Sequence, residues 1–181
     1  IKLKTIDNVS QYAESLIYTG GIRTYDVYIN NKKVITTYSS AVSCIKVNSI
    51  PNNADIEIIY LNSGVLNLQY AFYKNRISYS IYKEIDLSNI TVNVLISNIC
   101  GNQEYVTKVL LPQNVQNNNY EACVNGCSSL EEVICLSQQS PNTVTVMFAG
   151  VSTTGVLKYP AGVNYSAMIA VLPANWTYQE I

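Results

Sequence analysis

Histidine is absent from all 181 residues. Its absence removes the Ser–His and Cys–His catalytic pairs and the commonest general base. Charge is scarce too: 13% of residues are charged, against about a quarter in ordinary globular chains. The net charge is −1, so no basic face exists to hold phosphates, and nucleic acid is not an expected partner. No apolar run approaches the ~20 residues of a membrane-spanning helix. There is also no Gly-rich phosphate loop, no dinucleotide fingerprint and no HExxH helix. No catalytic residue, metal ligand or cofactor is assigned, and an enzyme is not expected.

What remains is apolar and neutral-polar. Hydrophobic residues make up 48% of the chain, which is ample for a core. The polar surface comes from 21 Asn, 17 Ser and 12 Thr, with 15 Tyr against 2 Phe. Tyr favours strands and carries a hydroxyl that can face water. Few groups change charge with pH, which suits an exposed protein.

Alternating apolar and polar residues dominate, the mark of half-buried strands. Tyr25, Val27 and Ile29 share a face, Asn30-Asn31 supplies turn residues tolerant of positive φ, and Lys32 to Tyr38 returns as the second arm of a hairpin. Asp55 to Leu61 and Val65 to Lys74 read as another hairpin across Asn62-Ser63-Gly64. Further strands are expected around Ile77–Ile81, Ile90–Ile96, Tyr105–Leu111, Thr143–Phe148, Val156–Tyr159 and Ala167–Leu172. Ser128-Ser129-Leu130-Glu131-Glu132 resembles a capping box and predicts one short helix over Ser129–Leu136. The expectation is an all-β fold, a β-sandwich or jelly roll of ten to twelve strands with one short helix and no internal repeat. A body over 9–181 follows an N-terminal segment 1–8, with a soft boundary in the polar tract near 112–119.

Five cysteines, Cys44, Cys100, Cys123, Cys127 and Cys135, lack zinc-knuckle spacing. A secreted protein would form one or two disulfides from them, with a bridge expected within the Cys100–Cys135 region, and leave at least one thiol. Asp55 and Glu57 share a strand face, as do Glu84 and Asp86. Such pairs could serve a glycosidase or hold calcium, but solvated strand charges are the plainer reading. Exposed Tyr and Trp176 could offer a glycan-binding surface. Four Asn-x-Ser/Thr sequons, at Asn8, Asn89, Asn164 and Asn175, mark where N-linked glycans would attach.

Ile1-Lys2-Leu3-Lys4-Thr5-Ile6 reads as a strand beginning at the first residue. The expectation is a signal peptide removed before Ile1 and a strand given to a neighbouring copy by β-augmentation, through Ile1, Leu3, Thr5 and Ile6. A head-to-tail contact of that kind does not close and grows a fibre. The leading apolar strand, the Tyr/Asn/Ser/Thr-rich chain, the scattered sequons and the low charge resemble the archaeal threads. Those are secreted, N-glycosylated surface filaments built by donor-strand complementation. The resemblance implies a homopolymer with identical subunits, an extracellular location, and a role in adhesion to other cells or surfaces or in biofilm. The competing expectations are a viral capsid or spike jelly roll and a secreted carbohydrate-binding domain.

Overall fold

The computed structural model describes residues 1–7, 15–18, 25–34, 36–39, 44–47, 49–60, 66–73 and 81–181. Fourteen strands lie among the described residues: β1 (Lys2–Thr5), β2 (Ser15–Tyr18), β3 (Tyr25–Ile29), β4 (Lys32–Lys33), β5 (Thr37–Ser39), β6 (Cys44–Lys46), β7 (Asp55–Tyr60), β8 (Leu66–Asn67), β9 (Tyr82–Asp86), β10 (Val94–Leu95), β11 (Lys108–Leu110), β12 (Glu132–Ile134), β13 (Thr154–Tyr159) and β14 (Asn175–Glu180). One helical turn, α1 (Ser166–Ile169), accompanies them. Nine strands form one sheet in the order β14-β13-β12-β11-β9-β1-β7-β3-β4.

The fold is all-β, but it is a solenoid rather than a sandwich or jelly roll. From β9 to β14 every neighbouring pair in the sheet is parallel, and apart from β10, which pairs with β8, successive strands of the chain are successive strands of the sheet. A jelly roll is built from antiparallel Greek keys and cannot give that order. Ile85, Val109, Val133 and Leu157 stand opposite one another at intervals of 24 residues. Each interval is one coil, and the repeat is present although the residue identities scarcely repeat.

Two features of each coil explain it. Inward positions stack into apolar columns. Leu87, Leu111, Cys135 and Tyr159 form one column, all buried. Backbone hydrogen bonds tie it, from Leu87 N to Leu110 O, Leu111 N to Ile134 O and Cys135 N to Lys158 O at 2.8–2.9 Å. Corners also recur at the same spacing. Asn98, Ala122 and Val146 have φ of 55°, 50° and 48°, and Asn102, Gly126 and Gly150 have φ of 60°, 73° and 70°. Left-handed backbone turns the chain at each corner, a conformation open to Gly and Asn and costly to most other residues. Among the described residues, seven of the ten non-glycine residues with positive φ are asparagines. Asn98, Asn102, Asn117 and Asn118 serve corners of the coils in this way.

Val146 is the misfit in this series. It is β-branched, left-handed and 52% exposed, so packing does not demand it. Val146→Asn copies what Asn98 does in its own coil. It is expected to raise stability by about 1 kcal/mol through relief of backbone strain. A thermal melt that is unchanged or lowered would count against the strain.

Several local expectations change. Glu132–Ile134 is strand, not the expected helix, because Val133 and Cys135 both face the core, each stacked between its counterparts in the coils on either side. The helix that does form, α1, falls where a strand was expected, and Thr143–Phe148 is a bridge and corner rather than a strand. The β7–β8 hairpin does not form: β7 pairs with β1 and β3, while β8 pairs with β10. Asn30 and Asn31, at φ 49° and 63°, do turn the β3–β4 hairpin. The expected Ile77–Ile81 strand lies outside the described residues except for Ile81, which is buried.

Candidate functional site: the charged face of the sheet

β1 is inserted out of chain order in the middle of the sheet. It lies antiparallel between β7 and β9, two strands from successive coils. Leu3 stands between Ile56 and Ile85 and is 3% exposed. Thr5 is fully buried: its hydroxyl donates to Pro51 O at 2.9 Å and accepts from Ala54 N at 2.7 Å. The strand expected to fill a neighbour's groove is thus a central strand of its own sheet. Both of its edges are already paired in cis, so the slot offers no vacancy to a sibling. A fibre built on this strand requires exchange between copies.

The opposite side of β1 explains its placement. Lys2 lies between Glu57 and Asp86, and Lys4 between Asp55 and Glu84. The carboxylate pairs Asp55/Glu57 and Glu84/Asp86 are therefore the two walls of the slot that holds β1. A lysine stands between the facing acids of each row. Opposite charges directly across strands contribute roughly 0.2–1 kcal/mol each, and like charges there destabilise. Inserting Lys2 and Lys4 places a cation beside each of four acids.

The pattern runs further along the sheet. Asp55, Lys4, Glu84, Lys108 and Glu132 stand side by side on β7, β1, β9, β11 and β12, so one row alternates in sign across five strands. The Lys4 Nζ–Asp55 Oδ1 distance is 3.0 Å, and Lys108 Nζ–Glu132 Oε2 is 2.9 Å. Lys158 closes on the other carboxylate oxygen, Oε1, at 2.6 Å. A shallow trough of about 330 Å³ opens on this face over Lys2, Lys4, Tyr28, Asn31 and the four carboxylates.

Glu132 carries the resolved electrostatic effect on this row. The hydrogen bond from Lys158 holds its carboxyl below the usual range; burial opposes this, and Lys108 adds to the lowering. A depressed carboxylate pKa contributes stability that is present above the unfolded value, about 4.3, and is lost as pH falls through the folded value. Glu132 is still partly solvated, so the contribution is about 1 kcal/mol or less. Glu132→Gln should flatten the acid limb of a stability–pH profile between about pH 6 and pH 3. An unaltered profile would remove Glu132 from the account.

The remaining expected sites are dispersed. Cys100, Cys123, Cys127 and Cys135 are free, buried thiols, so the expected bridge in this region is not made. They occupy core columns: Cys135 sits in the column of Leu111, and Cys123 one coil before Met147. Cys123 Sγ donates to Ile96 O at 3.1 Å and Cys127 Sγ to Cys100 O at 2.8 Å. Burial pushes the Cys123 and Cys135 thiols up, and the hydrogen bond with Cys127, then burial, does so for Cys100. Raised thiols are poor nucleophiles; these behave as small apolar side chains. The side chain of Cys44 lies outside the described set. Asn89, Asn164 and Asn175 are exposed, and Asn164 Oδ1 accepts from Ser166 N at 3.0 Å at the start of α1. Asn8 lies outside the described residues. Trp176 is buried, with Nε1 donating to Ser152 O at 2.8 Å, so it is not an exposed glycan platform. Among the described residues no three His, Cys, Asp or Glu side chains are grouped to hold a metal ion, and no helix is long and apolar enough to cross a membrane.

Sequence reasoning placed the acids on shared faces but missed their partner strand and the row they join. The signal was present in Lys2-x-Lys4, whose spacing matches Asp55-x-Glu57 and Glu84-x-Asp86. No protein-family model matches the chain, and no curated protein or solved structure does either.

Proposed function

We propose that the chain is a non-catalytic structural module of an extracellular surface, acting through contact between the sheet faces of identical copies. The observation that carries this reading is the make-up of the outward face. Half-buried Leu110 and Ile134 stand side by side as an apolar centre on β11 and β12, with half-buried Val156 on β13 across the Lys158–Glu132 ion pair. Lys108, Glu132 and Lys158 flank that centre, and the alternating row runs away from it. An apolar centre with a polar rim is the anatomy of a protein interface. A row that alternates in sign also meets its own copy, displaced by one strand, with opposite charges facing.

Sedimentation velocity over a range of protein and salt concentrations tests the reading. The expected result is reversible self-association that weakens with salt and is lost in Ile134→Lys. A single species of 20.1 kDa under all conditions would overturn it. A second reading, polymerisation by exchange of β1, is favoured by the match of Lys2 and Lys4 to both walls of the slot, since a sibling's β1 carries the same lysines. Fibres that dissolve when an excess of the Ile1–Asp7 peptide competes for the slot would select exchange over face contact.

A further inference from the structure

We infer that the corner of the coil after β11 is a binding site for a neutral saccharide, separate from the charged face. The site is a cleft of about 410 Å³ to which three coils contribute. Asn93 comes from the coil before, Gln113 to Asn118 from the corner itself, and Gln139 from the coil after. Seven of its eight lining residues are Asn or Gln, and none is charged.

Backbone demand accounts for only two of these amides. Asn117 and Asn118, at φ 55° and 49°, are left-handed corner residues. Asn93, Gln113, Asn114, Gln116 and Gln139 are under no such constraint, yet all five converge on the same space. Part of the set is fixed in place. Asn114 Nδ2 donates to Thr91 O at 2.9 Å, and Asn118 Nδ2 donates to Gln139 Oε1 at 3.0 Å. Gln116 Oε1 is shielded from solvent and has no hydrogen-bond partner among the described residues. Buried acceptors without partners are rare, and each calls for an explanation. Turning the carboxamide into the cleft, toward a donor brought by a ligand, supplies one.

The chemistry of the lining selects the ligand class. A cleft without charge offers nothing to offset a phosphate, a carboxylate or an ammonium group. The lining is overwhelmingly polar, with Val115 its only apolar residue, which disfavours a lipid or a flat aromatic ligand. A carboxamide presents an acceptor and two donors on one plane, and a hydroxyl is both donor and acceptor. Adjacent sugar hydroxyls therefore pair with such amides without leaving either side unsatisfied. The volume lies within the range of small-molecule sites.

The test is an NMR titration of the ¹⁵N-labelled full chain with cellobiose, maltose, lactose and chitobiose at millimolar concentration. At least one disaccharide should give saturable shifts of the side-chain amides of Asn114, Gln116 and Gln139. Asn118→Gly with Gln139→Ala keeps the left-handed corner and removes two amides; it should weaken that binding by about tenfold or more. The inference is overturned if none of the four sugars shifts the cleft resonances, or if the double variant binds as well as the parent. It is equally overturned if a neutral Gly-Ser peptide saturates the cleft while the sugars are silent. Association of sheet faces, read by sedimentation, is unaffected by these variants, so the two proposals fail separately.

Discussion

A chain beginning at Asn8, without β1, is expected to lose its cooperative fold. Removing this strand exposes the facing edges of β7 and β9, which sit in the middle of the nine-stranded sheet. It deletes buried Leu3 and leaves Ile56 and Ile85 without the side chain between them. Loss of a buried Leu side chain alone costs about 2–5 kcal/mol. Ala54 N loses the Thr5 hydroxyl it donates to, and Asp55, Glu57, Glu84 and Asp86 lose the two lysines that separate them. The combined loss is comparable to the ~5–15 kcal/mol that holds an ordinary domain together. Circular dichroism at 25 °C should show little residual β-sheet and no sharp melting transition. Adding the peptide Ile1–Asp7 in trans should restore both, because the slot specifies its occupant by apolar fit on one face and charge on the other. A shortened chain that melts as sharply as the parent would show that β1 is an accessory to the solenoid rather than part of it.

How far the sequence alone leads depends on whether a pattern is local. The β3–β4 hairpin was legible because its turn residues, Asn30-Asn31, and both arms lie within a few positions. The all-β class was legible from alternation. The solenoid was not, because its evidence is a column: Leu87, Leu111, Cys135 and Tyr159 share a role but not an identity. Read along the chain, Cys135 looks like a candidate for a disulfide; read down the column, it is a small apolar residue between Leu111 and Tyr159. The helix expected at Ser129–Leu136 failed for the same reason. Its capping residues are local, whereas the parallel pairing of Val133 with Val109 and Leu157 is not, and stacking between coils outweighs a cap worth about 1 kcal/mol. The charged row was half legible: each pair of acids was visible on its own strand, but only pairing across 51 residues brings Lys4 to Asp55.

The last coil yields the other large expected effect. Gly155 lies directly opposite Trp176, and a Cβ at this position would approach the indole ring to 2.6 Å and Glu131 O to 2.8 Å. The carbonyl is fixed, since Val156 N already donates to it at 2.8 Å. The indole is fixed as well: it packs at 5.3 Å from the Phe148 ring and donates to Ser152 O. Glycine therefore acts here by leaving space, not by allowing positive φ. Gly155→Val has no small adjustment available, because one obstacle is backbone and the other a buried ring. The expected outcome is displacement of Trp176 from its pocket and a loss of about 3–5 kcal/mol, the range for removing a buried Trp side chain. The chain contains one tryptophan, so its fluorescence reports this site alone. The variant should show red-shifted emission, stronger quenching by iodide and a lower melting temperature together. Phe148→Ala gives a useful contrast, because it removes a ring contact while leaving the Gly155 surface and the Ser152 hydrogen bond in place. It should lower stability with a smaller emission shift. Blue, protected emission retained in Gly155→Val would mean that β14 can withdraw from β13 without exposing the indole, and the tight stacking of the last two strands would have to be abandoned.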